Sequence, residues 1–189
     1  QAIAWSGDGR WLVALPRRSE HVRVFDLTDG SHRDELLAPH WPPPRSPSLT
    51  AVAVSHDGSR LAVGNSTGPI LVRNRDGSTQ VLAGHEGTVW SLQFSANDAG
   101  LLVSAGGASG VACWDLDSGE CCFQAIRDQA SQVELSRDGM TLSCITPAGA
   151  VVLDLAYHER HIAGNLAMHL EGEAAIVDVP AERAQALRA

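Results

Sequence analysis

The sequence predicts an all-β chain of about four repeats, each folding into a four-stranded antiparallel sheet. Two landmarks recurring at one period predict it, together with short β-rich runs between them. The first landmark is an apolar residue and a serine followed by a turn centred on aspartate. It occurs at Trp5-Ser6, Val54-Ser55, Phe94-Ser95 and Leu135-Ser136, with turn aspartates Asp8, Asp57, Asp98 and Asp138 spaced 49, 41 and 40 positions apart. The second follows about 17 residues later: Phe25-Asp26, Arg73-Asn74, Trp114-Asp115 and Leu153-Asp154, spaced 48, 41 and 39 apart. A period near 40 held by two independent landmarks is the mark of a stacked repeat.

Within each repeat the local chemistry favours strands. First strands are expected at 50–55, 89–95 and 132–136, short runs that alternate or carry β-branched residues. Asp-Gly turns, and Asn-Asp-Ala-Gly in the third repeat, then reverse the chain, because glycine accepts the positive φ of a hairpin. Second strands follow as WLVALP, RLAVGN, LLVSAGG and TLSCIT, and third strands as HVRVFDL, PILVRNR, GVACWDL and AVVLDL. An outer fourth strand is expected at 34–38, 79–83 and 121–126. The repeats fall at about 1–39, 50–85, 89–126 and 132–155, with a capping element and an irregular or helical tail over 156–189.

Composition narrows the functions open to the chain. Hydrophobic residues make up 44% and charged residues 19%, ordinary for a packed protein. The net charge is −8, which repels a phosphate backbone, so no nucleic-acid partner is expected. All 14 basic residues are arginine. Without lysine there is no Schiff base and no phosphate-anchoring lysine. No run approaches the roughly 20 apolar residues of a membrane helix, so no membrane partner is expected within this segment. The four cysteines, Cys113, Cys121, Cys122 and Cys144, lie in apolar runs without C-x-x-C spacing. They read as reduced thiols and favour a cytoplasmic setting.

The repeats resemble those of the WD-repeat β-propeller family, the third most closely. Gly84-His85 precedes its innermost strand, and Trp114-Asp115 closes its third strand 29 positions after His85. In that family a His, a Ser or Thr, an Asp and the Trp form a buried hydrogen-bonded set that staples one blade. The resemblance places His85, Ser104 and Trp114 on three of those positions, with Asp115 completing the Trp-Asp pair. Ala108 stands where the family has its Asp, so the set is expected to be incomplete. The other blades lack Gly-His and carry Phe25, Arg73 or Leu153 in place of the Trp. The element from Tyr157 through Leu166 (YHERHIAGNL) resembles the ends of bacterial WD-repeat arrays, some of which follow a Ser/Thr protein kinase domain. That resemblance implies an alternative role as a regulatory or sensory segment of such a kinase.

Other motifs read as structural. Residues 64–68 spell the G-x-S-x-G of a hydrolase elbow, but a strand follows where the elbow needs a helix. His158, His161 and His169 lack the partners a metal site requires. The Trp41 segment, with its run of prolines, and the Arg17-Arg18 pair read as solvated loops.

The function expected is a protein-interaction scaffold with no cofactor and no metal. Thr88 and Trp90, at the start of an innermost strand, are the leading partner-binding candidates, with Arg127 and Trp41 behind them. An enzyme would need acid, base or metal groups converging over the channel, where the loops here carry Gly, Ser, Thr and Ala. Propellers close with typically four to eight blades. Four blades in a chain that opens at Gln1 are therefore expected to be the C-terminal part of a larger ring, completed by upstream blades or by self-association.

Overall fold

The computed structural model describes residues 1–17, 20–36, 48–97, 99–126, 129–139, 141–154, 169–170 and 174–175. Among these residues there is no helix. The first sheet contains β1 (Ala2–Trp5), β2 (Trp11–Leu15), β3 (His21–Asp26) and β4 (His32–Leu36). The second contains β5 (Leu49–Val54), β6 (Arg60–Asn65), β7 (Ile70–Asn74) and β8 (Thr79–Leu82). The third contains β9 (Val89–Phe94), β10 (Leu101–Gly106), β11 (Gly110–Asp115) and β12 (Glu120–Ala125). The fourth contains β13 (Gln132–Leu135), β14 (Thr141–Thr146) and β15 (Gly149–Asp154). Every ladder is antiparallel and joins strands consecutive in sequence, which makes each sheet a meander blade.

The fourth blade thus has three strands among the described residues. The chain beyond Asp154, from which a fourth would come, lies outside them until the short ladder of β16 (His169–Leu170) and β17 (Ala174–Ala175). β4 begins at His32, two residues ahead of the sequence expectation. The turn after β3 closes at once, the Gly30 N–H donating to the Asp26 carbonyl.

The repeating aspartate turn closes through its own side chains. In the first blade the Ser6 hydroxyl donates to Asp8 at 2.5 Å and accepts from the Trp11 N–H at 2.8 Å. The second repeats this with Ser55, Asp57 and Arg60, and the fourth with Ser136, Asp138 and Thr141. Burial alone would raise the Asp57 carboxyl. Hydrogen bonds from the Ser59 N–H and the Ser55 and Ser59 hydroxyls outweigh it and hold the group at about 2. A serine and an aspartate two apart therefore fix the first hairpins of blades one, two and four locally, before any blade packs.

Packing between blades then fixes their order. The innermost strands β1, β5, β9 and β13 neighbour one another in that sequence, and among the described residues no comparable packing joins β1 to β13. Three cores fill the three junctions. Val13, Val22 and Val24 meet Leu49, Leu61 and Leu71. Ile70, Val72 and Leu82 meet Phe94, Leu102 and Trp114. Leu101, Val103 and Val111 meet Val133, Leu142 and Leu153. β10 is buried at every residue because alternate side chains enter different cores, whereas β3 and β13 alternate buried with exposed or half-buried positions. The terminal blades thus bury one face each. The other face leaves Ile3, Trp5, Ile145 and Val152 exposed.

Polar side chains also tie blade to blade. The Gln93 amide both donates to the Leu135 carbonyl, at 3.2 Å, and accepts from the Leu135 N–H, at 2.7 Å. It thereby occupies backbone groups on the free edge of β13. The Thr50 hydroxyl donates to the Val89 carbonyl at 2.6 Å.

Candidate functional site

Blade three is held by three side chains on one face. Ser104 on β10 pairs across the ladder with Ala112, and Trp114 on β11 pairs with Leu102, so Leu102, Ser104 and Trp114 point the same way, toward blade two. His85 reaches them from the segment joining β8 to β9. Its Nε2 lies 2.6 Å from Ser104 Oγ, and the Trp114 indole N–H donates to the same oxygen at 2.8 Å. The Ser104 proton has two acceptors in reach, His85 Nε2 at 2.6 Å and the Ala112 carbonyl at 3.4 Å, and the shorter contact assigns it to the histidine. That leaves Nδ1 as the protonated nitrogen of His85.

Gly84 makes room for this arrangement. A Cβ there would come within 2.8 Å of Trp114 Cη2, so the glycine lets the indole edge lie against the backbone next to His85. This is the physical content of the Gly-His pair read from the sequence. Asp115 turns away from the set and caps the β11–β12 turn, accepting from the Asp117 N–H and the Ser118 hydroxyl.

The set has a missing member. His85 Nδ1 is buried and has no hydrogen-bond partner. Ala108 is exposed in the β10–β11 turn and offers no acceptor. Burial without a carboxylate pulls the imidazole down to about 4, so His85 is neutral. Substituting Ala108→Asp is expected to supply the acceptor and stabilise the chain by about 1.5 kcal/mol, raising the melting temperature by about 3–6 °C. Thermal melts of the two proteins check this. An unchanged or lowered melting temperature would mean that position 108 does not face His85.

The two leading binding candidates differ in how they are held. The Thr88 hydroxyl donates to the Ser66 carbonyl at 3.3 Å, tying it to blade two. Trp90 sits at a β-bulge: Ala105 pairs with Ser91 and Gly106 with Val89, which leaves Trp90 unpaired between them. The bulge re-aims its side chain away from both cores, and Trp90 is 53% exposed although its neighbour Val89 is fully buried. Arg127 and Trp41 lie outside the described residues, as do Arg18, Asp98, His158 and His161.

The 64–68 segment is a blade turn. Asn65 Oδ1 accepts from the Thr67 N–H, the Thr67 hydroxyl and the Gly68 N–H. Among the described residues no cluster of His, Cys, Asp and Glu is placed to hold a metal. The four cysteines are free thiols, with Cys113, Cys122 and Cys144 buried. No helix among the described residues is long and apolar enough to cross a membrane. Gln93 and its grip on β13 were missed in the sequence; the polar residues Ser91 and Gln93, two apart in the first strand, were the available signal.

Residues 76–115, from the β7–β8 turn to the end of β11, match the family described as WD domain, G-beta repeat. The chain carries a WD40 repeat on a propeller fold. Its structure is similar to a chain in the crystal structure of a mitotic checkpoint complex, with a TM-score of 0.67 and 19% identity, over 82% of this chain. It spans 46% of that chain's length. In all, 1303 chains of known structure match, so the likeness establishes the fold and selects no one partner. A search of curated proteins returns no match. The fourth blade, like the first two, belongs to that architecture without a Trp at the staple position.

Proposed function

We propose that this WD-repeat segment is a protein-interaction scaffold without catalytic activity of its own, and that a partner docks where Thr88 and Trp90 lie. The observation that carries the reading is Trp90, a large aromatic half in solvent on a backbone fixed by the buried Val89. Tryptophan is over-represented among residues that dominate binding energy, and a rigid anchor loses little entropy on docking. A photo-crosslinking amino acid at position 90 tests this in cells producing the protein. The expected result is a covalent adduct with a second protein, absent when the same group replaces Val81 on the outer strand β8, which is 41% exposed. Equal adducts at both positions, or none at 90, would overturn the docking site.

The exposed face of blade one bears Ile3 and Trp5, 68% and 59% exposed, and we read it as covered in the working protein by further blades or by a second copy. At roughly 25 cal/mol per Å² of apolar surface, leaving such a face in water is costly. The chain is expected to self-associate at micromolar concentration, and the pair Ile3→Ser with Trp5→Ser to shift it toward monomer. Light scattering reads both. A compact monomer at every concentration would contradict it. The free thiols support a reducing, cytoplasmic setting. A kinase-linked parent is a proposal resting on the 157–166 element.

A further inference from the structure

Blade two has no staple, and what stands in its place is a cleft. The blade register makes the comparison direct. At the junction of blades two and three, Leu82, Phe94, Trp114 and Leu116 are buried against one another. The equivalent positions at the junction of blades one and two are Glu35, Val54, Arg73 and Arg75. Three large apolar residues are replaced there by charged ones, and a phenylalanine by a valine. The result is an open cleft of about 220 Å³, lined on its floor by Val13, Val24, Val54 and Leu61 and at one side by Trp11.

Its charge is unlike that of the chain. Arg33, Arg73 and Arg75 line the cleft against one carboxylate, Glu35, while the whole chain carries −8. Glu35 accepts from Arg33 Nε at 2.7 Å and from Arg73, so both guanidinium groups already grip a carboxylate held between the blades. Arg33 also lies over the Trp11 ring, 5.4 Å from its centroid. Arg75 is exposed at the cleft mouth and has no ion-pair partner among the described residues.

We propose that this cleft binds a peptide segment carrying one large apolar side chain next to a carboxylate. The volume is below the roughly 300–1,000 Å³ of sites for drug-sized molecules and suits a single side chain. The apolar floor and Trp11 take that side chain into the space that Trp114 fills one blade on. Arg75, with the outer edge of Arg73, takes the neighbouring carboxylate, for which a planar guanidinium is well matched. The cleft opens beside the β5–β6 and β7–β8 turns, at the opposite end of the strands from Thr88 and Trp90. It is therefore independent of the docking site proposed above.

The test uses the full chain and a fluorescein-labelled peptide GSWEDSG, read by fluorescence anisotropy, with GSWQNSG and GSAEDSG as comparisons. Saturable binding of GSWEDSG is expected, weakened about tenfold or more by either change in the peptide and by Arg75→Glu. Val54→Phe, which installs the residue blade three carries at this place, is expected to abolish binding while the thermal melt stays intact. Trp90→Ala is expected to leave binding unchanged, so failure of the rim site and failure of the cleft are told apart. No saturable binding of GSWEDSG up to about 1 mM would overturn the proposal. Equal affinity for GSWQNSG, or an Arg75→Glu protein that binds as well, would overturn it too.

Discussion

Replacing Trp114 with alanine is expected to cost about 3–5 kcal/mol, the range for truncating a buried large aromatic. Trp114 is 1% exposed and packs with Leu82, Phe94 and Leu102 at the junction of blades two and three. Its removal opens a cavity between two rigid sheets that are held apart by their other contacts, so little of the space can close. It also takes one donor from Ser104 Oγ and uncovers His85. The register twin, Arg73→Ala, is expected to cost only about 1 kcal/mol, because a part-exposed ion pair contributes little and Glu35 keeps Arg33. Urea denaturation of the two variants checks the contrast. Similar losses at both positions would mean that blade three is not stapled differently from blade two.

Lowering the pH from 7 is expected to destabilise the chain through His85, ahead of the hydrogen-bonded turn aspartates that are held low. In the unfolded chain this histidine takes up a proton near 6.5, whereas burial in the native blade pulls it down to about 4. Between those values the unfolded state binds the extra proton, so native stability is complete above about 6.5, falls as the pH drops, and levels off for this group below 4. At about 1.4 kcal/mol per unit, the loss across the window approaches 3 kcal/mol. The aspartates act later. Asp57 stays ionised to about 2, so its contribution is lost only below the ordinary carboxylate range, at more acid pH than His85. Denaturation midpoints at pH 7, 6, 5 and 4.5 check the expectation, and His85→Gln should flatten the curve over that range. A wild-type curve already flat between 7 and 4.5 would mean that His85 is accessible to solvent.

The blades were legible in the sequence because what defines them is local. A serine accepting from the far side of its own turn, and an aspartate two residues on, leave the same trace at Ser6, Ser55 and Ser136 wherever the repeat falls. The His85, Ser104 and Trp114 set was equally open to reading, since its spacing follows from strand lengths within one blade. Features made between blades were not. Gln93 looked like a polar residue in a strand until β13 was placed beside it. Arg73 was visible as the residue in the tryptophan position, yet the cleft around it needs Glu35 and Val54, which come from different blades and meet only when those blades pack. The bulge that turns Trp90 outward depends on a register shift between β9 and β10 that no residue pattern announces.

Whether one blade is pinned through its core while its neighbour stands open at the equivalent place is tested most directly by amide hydrogen exchange resolved by strand. Amides of β10 and β11, around Ser104 and Trp114, should exchange slowest in the chain, and those of β7 beside Arg73 about tenfold faster or more. Trp114→Ala should remove the difference. Protection in β7 as high as in β11, with no change in β11 when Trp114 is removed, would contradict it.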